Sequence, residues 1–140
     1  MSRPHYLCGP MTGIPRFNFP AFAAAAATLR AAGWHITSPH ENDTPEIQAA
    51  SWASPDGKLV DGRIAGETWG DILARDVKLI ADHVGGLILL PGWQRSRGAR
   101  LEVFVALLCQ YEFYCYEENA AVRVSTHEIR TQLTDSLQQP

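Results

Sequence analysis

The chain has 140 residues and no internal repeat, which leaves room for one domain. Apolar residues make up 46% and charged residues 19%, enough to bury a core and too little charge for a disordered chain. The net charge of −3 argues against a nucleic-acid partner, and the longest stretch free of charged or strongly polar residues, 84–93, is too short to span a bilayer. Cys8, Cys109 and Cys115 are odd in number and lack CxxC spacing, and the first residues carry no apolar leader, so a reduced, cytoplasmic protein is expected.

His5-Tyr6-Leu7-Cys8 reads as a buried strand stopped by Gly9-Pro10. A loop rich in glycine and proline follows as far as Phe19. Pro20 suits a first helical residue, Asn18 lies close enough to cap, Ala21–Ala32 are strong helix formers and Gly33 ends the helix. Trp34–Ser38 is a second strand, stopped by Pro39. Residues 40–67 form an irregular loop with Lys58-Leu59-Val60 as a short strand, and a loop of that length suits a lid or binding role.

Thr68 caps the next helix, with Asp71 in capping-box position, and that helix runs to about Asp82. Gly86–Leu90 is the strongest strand, continuous enough to be buried on both faces. A polar loop leads to a helix over about 98–110, then a strand at Phe113–Tyr116. Val122–Val124 is a possible fifth strand, and Ser125 with Glu128 caps a terminal helix. The alternation predicts an α/β fold, a flavodoxin- or Rossmann-like parallel sheet of four to five strands with helices on both faces. In such sheets ligands bind beyond the carboxyl ends of the strands. Those ends are 9–13, 39–41, 91–98 and 116–118.

Two acidic residues break the hydrophobic pattern. Asp76 falls on the apolar stripe formed by Trp69, Ile72, Leu73, Val77 and Ile80, and a core-facing carboxylate costs several kcal/mol, on the order of 2–7, unless it is paired. An arginine partner or a loop-capping role would explain it equally well. Glu102 lies early in a helix that is apolar nearly all round, and Ala99 cannot form a capping box with it. A solvated stripe shared with Arg100 and Gln110 is the plain alternative. The helix N-terminus favours an ionised carboxylate there, as a nucleophile requires.

The loop Gln94-Arg95-Ser96-Arg97-Gly98-Ala99-Arg100 offers a hydroxyl, arginines and a helix N-terminus, an anion cradle or merely a solvated loop. Neither a dinucleotide nor a P-loop glycine pattern occurs, so no cofactor is expected. The histidines lack metal-ligand spacing, and His40, Glu41 and Asp43 form a polar cluster at a strand end. Phe17, Phe19 and Trp93 stand in loops at the ligand end, where a ring could stack on a base, or serve the core instead.

Tyr6, Gly9 and Pro10, then Arg75-Asp76, then Ser96, Gly98 and Glu102 resemble the nucleoside 2-deoxyribosyltransferase superfamily. More closely, Gly9-Pro10-Met11-Thr12-Gly13, Asn18-Phe19-Pro20-Ala21-Phe22 and Pro91–Glu102 resemble a branch of short, phage-associated proteins. The resemblance covers about residues 5–116 and leaves the extension 117–140 unexplained. It implies a glutamate, here Glu102, that attacks the anomeric carbon and forms a glycosyl ester. Asp76 would assist departure of the base, and Tyr6 would stand beside the nucleophile. Ser96 takes the position of an aspartate in the transferases that use free nucleosides, and of a phosphate-binding serine in nucleotide N-hydrolases. With Arg97, Gly98 and Arg16, it points to a nucleoside 5′-monophosphate as the small-molecule substrate. Gly9, Pro10, Met11, Asn18, Phe19, His40, Glu41 and Trp93 complete the expected binding set, and the resemblance implies a homo-oligomer. A non-catalytic nucleotide-binding module of the same fold is the alternative, as is an accessory acting through a protein partner.

Overall fold

A computed structural model describes residues 3–138. A five-stranded sheet forms the centre, from β1 (His5–Cys8), β2 (Ile36–Thr37), β5 (Gly86–Leu89), β6 (Glu112–Glu117) and β7 (Ala120–Val124), in the order β2-β1-β5-β6-β7. The first four run parallel, and β7 is antiparallel to β6. This is the flavodoxin-like order, whose switch point lies between β1 and β5. The two central strands are buried over nearly their whole length, as their continuous apolar runs predict.

Helices cover both faces. On one, α1 (Phe19–Ala31) packs Phe22, Ala25, Ala26 and Leu29 against Leu7, Ile88 and Leu90. On the other, α4 (Trp69–His83), α5 (Arg97–Leu108) and α6 (Thr126–Leu137) surround Tyr6, Cys8, Leu87, Leu89 and Phe113. The C-terminal extension is part of this core, for Ile129 and Leu133 of α6 are buried in it. Among the described residues no helix is long and apolar enough to cross a membrane.

The structure departs from the sequence reading mainly over residues 39–68. Instead of one loop there are two helices, α2 (Pro39–Asn42) and α3 (Pro45–Ala53), and a hairpin of β3 (Arg63–Ile64) and β4 (Glu67–Thr68). Thr44 caps α3 by accepting the Ile47 amide at 3.2 Å, and Pro45 occupies the first turn, where its missing N–H costs nothing. Lys58–Val60 is not a strand; Val60 makes only an isolated bridge to Arg63. β2 is shorter than Trp34–Ser38. Asn18 does not cap α1: its backbone is left-handed, and its amide donates instead to the Pro10 carbonyl at 2.9 Å. The Thr68–Asp71 capping box forms in both directions. At Ser125 only one half does, because Glu128 accepts from Gln132.

Candidate functional site

Tyr6 lies on β1 with its side chain toward α5, so strand alternation also turns Cys8 that way. The Tyr6 hydroxyl donates to Glu102 Oε2 at 2.8 Å, and the Cys8 thiol lies 3.5 Å from both Glu102 Oε1 and the Ala99 carbonyl. Gly9 follows at once, and the chain passes so close to the next strand that an added Cβ would stand 2.8 Å from Leu90 Cβ. Ser96 caps α5 by accepting the Ala99 amide at 3.2 Å, which sets the helix so that Glu102, in its second turn, faces the sheet. The sequence breaks at positions 76 and 102 therefore have one origin. Both residues are buried, 5% and 6% exposed, and both line a single cavity beyond the carboxyl ends of β1 and β5.

Gly9, Met11, Phe17 and Phe19 from the first loop, with Trp69, Ile72 and Leu73 from α4, wall this cavity. Asp43, from the end of α2, also lines it. Leu59 and Ile64 close the outer side. The 54–57 segment is joined to the first loop, since Gly13 and Arg16 donate their amides to Gly57 and Ser54 at 2.8 Å each. Gly57 has φ +67, and a Cβ there would fall 1.9 Å from the Ile14 carbonyl oxygen, so only glycine fits.

The electrostatics are those of a carboxylate set withdrawn from water. Burial raises Glu102 to about 7, while the Tyr6 and Cys8 hydrogen bonds pull the other way. The helix N-terminus was expected to hold Glu102 ionised; burial opposes it and places the group near neutrality. Asp76 is raised well above the usual carboxylate range, first by burial, then by the charges of Glu102 and Asp43. Its Oδ1 is buried with no hydrogen-bond partner among the described residues. The anticipated arginine partner for Asp76 is absent: Arg75 turns to Asp43 Oδ1 at 3.2 Å and to Glu67 at 2.5 Å. Asp43 is raised to about 6 by burial, against the pull of Arg75. Tyr6 and Cys8 are raised by burial as well, so each stays a protonated donor.

The expected binding residues divide. Gly9, Met11, Phe19, Ser96 and Gly98 line the cavity. Arg97 stands beside it, its guanidinium 4.7 Å from the centre of the Trp69 ring. Pro10 and Asn18 line a separate open cleft together with Arg95. Trp93 is core, buried with Tyr6, Cys8 and Val103. His40 is buried against Phe19 and bonded to Ser38, and Glu41 pairs with Arg30 on the surface. Arg16 is exposed and does not line the cavity. Arg100 bonds the Ser96 and Ser136 carbonyls, a structural task. Asp43 and Trp69 were missed as site residues: one was noted only as part of a polar cluster, the other only as stripe. Among the described residues no three His, Cys, Asp or Glu side chains are arranged to hold a metal ion.

Fold and site together define a flavodoxin-like α/β domain with a carboxylate-lined cavity at its topological switch point. Residues 4–114 match the family described as a domain of unknown function (DUF4406), and the chain belongs to that family. No curated protein and no solved structure matches it.

Proposed function

We propose that this protein cleaves the N-glycosidic bond of a deoxynucleoside 5′-monophosphate, or transfers its deoxyribosyl group, with Glu102 as nucleophile. One observation carries the reading: a buried glutamate, held through both oxygens, shares a cavity with a buried aspartate that has an unpartnered oxygen. A purely structural pair of acids would be expected to be satisfied by the protein around it.

In the first step a Glu102 oxygen bonds to the anomeric carbon as the bond from that carbon to the base nitrogen breaks. The electron pair leaves on the base, and the protonated Asp76 carboxyl supplies its proton. In the second, the Asp76 carboxylate takes a proton from water, or from an acceptor base, as that molecule attacks the same carbon. The ester bond breaks and its electron pair returns to Glu102. Oε1, bonded only to a weak thiol donor, keeps more electron density than Oε2 and is the attacking atom. Asp76 suits the acid role because burial and the charges of Glu102 and Asp43 raise it well above the usual carboxylate range, which favours its protonated form.

Phosphate recognition falls to the N-terminus of α5. The Ser96 oxygen is engaged by the Ala99 amide, which leaves the hydroxyl hydrogen for a ligand oxygen, and Arg97 adds positive charge at the rim. Among the described residues no lysine or arginine lines the cavity, so the phosphate stays at the rim and the sugar and base go inward. With about 80 Å³ of internal space the cavity holds a few waters, and a nucleotide is admitted when the wall formed by Leu59 and Ile64 moves out.

Incubation with the deoxynucleoside 5′-monophosphates, with free base followed by chromatography, tests the reading. Release that disappears in Glu102→Gln supports it. Saturable binding without release in the wild type supports the non-catalytic module instead.

A further inference from the structure

The polar groups on the side chains lining the cavity are the carboxylates of Asp43, Asp76 and Glu102, the hydroxyls of Thr12, Ser51 and Ser96, and the indole N–H of Trp69. Among the described residues no lysine, arginine, histidine, asparagine or glutamine side chain lines it. Hydroxyls can serve either kind of ligand group, but at the Asp43 carboxylate a donor is served and a carbonyl oxygen is not. We infer that the cavity selects bases that carry an amino group, with Asp43 as the specificity-determining acceptor.

Asp43 is built for this task. Its backbone carbonyl accepts from Gln48 at 2.7 Å and the next residue caps α3, so the main chain is fixed on both sides. Arg75 engages Oδ1 and is itself tied to Glu67, which anchors one oxygen of the carboxylate. Oδ2 receives no hydrogen bond among the described residues. Asp76 Oδ1, buried and unpartnered in the same cavity, independently marks a polar position left for a ligand group to satisfy. Phe17, Phe19 and Trp69 supply flat apolar walls between which a ring fits. An amine presented to Asp43 replaces water with a charge-assisted bond. A carbonyl there faces a buried negative charge that it cannot satisfy.

This inference rests on the glycosidic reading for the form of the ligand, yet it can be tested apart from it. Adenine against hypoxanthine and cytosine against uracil are pairs in which an amine becomes a carbonyl. At pH 8 Asp43 is ionised, since it titrates at about 6. The wild type should release the amino base with kcat/KM at least about 100-fold above its oxo counterpart. Asp43→Asn, whose amide can donate to a carbonyl, should narrow that ratio below about ten-fold. Calorimetric binding of the same four nucleotides to Glu102→Gln should show the same order of preference. Amino-selective binding with no base released by the wild type would overturn the glycosidic reading and leave the selectivity standing. Release or binding at equal strength within each pair would overturn the selectivity alone, as would a ratio unchanged by Asp43→Asn. If no nucleotide is bound or cleaved, both fall.

Discussion

Tyr6 and Glu102, 96 positions apart in the chain, are joined by a 2.8 Å hydrogen bond in which the phenol donates and the carboxylate accepts. That bond stabilises the ionised form of Glu102 and partly offsets the effect of burial. Tyr6→Phe should therefore raise the pKa of Glu102, moving the acid limb of the pH–rate profile upward, and should slow turnover by about ten-fold. A profile whose midpoint stays put would show that the phenol does not tune the nucleophile. In this reading Tyr6 acts through Glu102, so its role is positioning.

Glu102→Gln should abolish base release, by at least about 1,000-fold, and stabilise the fold. The sign follows from linkage. Glu102 has a folded pKa of about 7, above the ordinary value of 4.5, so the native state holds its proton more tightly than the unfolded chain. Stability is then full below about pH 4.5 and declines as pH rises through 7. A glutamine, with no charge to bury, removes the decline. The Tm of the variant should exceed that of the wild type by several degrees at pH 8 and match it near pH 4.5, a comparison that differential scanning calorimetry makes directly.

Asp76→Asn should fold normally, since it is close in shape and stays neutral in a buried place. It should nevertheless slow departure of the base by about 100- to 10,000-fold. The alkaline limb of the pH profile, set by loss of the Asp76 proton, should vanish with it. Full activity in this variant would make Asp76 a structural acid.

Ser96→Asp separates capping from recognition, because aspartate caps a helix as well as serine does. The variant should keep its Tm, lose at least about ten-fold in kcat/KM on the 5′-monophosphate, and be spared on the unphosphorylated nucleoside. Parallel kinetics on both substrates would check this. An equal effect on both would place the phosphate elsewhere.

The sheet was legible because β1 and β5 are buried on both faces, which leaves continuous apolar runs between glycines and prolines. Asp76 and Glu102 were legible for a related reason: acids on apolar helical faces are rare enough to be conspicuous. Residues 39–68 were not. Pro45 reads as a breaker in isolation, although after Thr44 it starts a helix, and two-residue strands such as Arg63–Ile64 have no room to show alternation. Trp93 and His40 sit at strand ends as ligand-binding residues do, and only packing shows that both are buried away from the cavity. The division of labour between Arg75 and Asp76 was also hidden, because adjacent helical residues point about 100° apart and their partners lie on different elements.

The backbone bonds from Gly13 to Gly57 and from Arg16 to Ser54 fasten one end of the outer wall to the loop leaving β1, while the capping box at Thr68 fastens the other end to α4. Between these anchorages residues 58–66 form the outer hairpin segment, which carries Leu59 and Ile64 of the cavity wall. Leu59 and Ile64 thus belong to a segment tethered at both ends and separate from the elements that hold Glu102 and Asp76. In the proposed reaction, changes confined to this hairpin would alter access to the cavity and leave Glu102 and Asp76 in place.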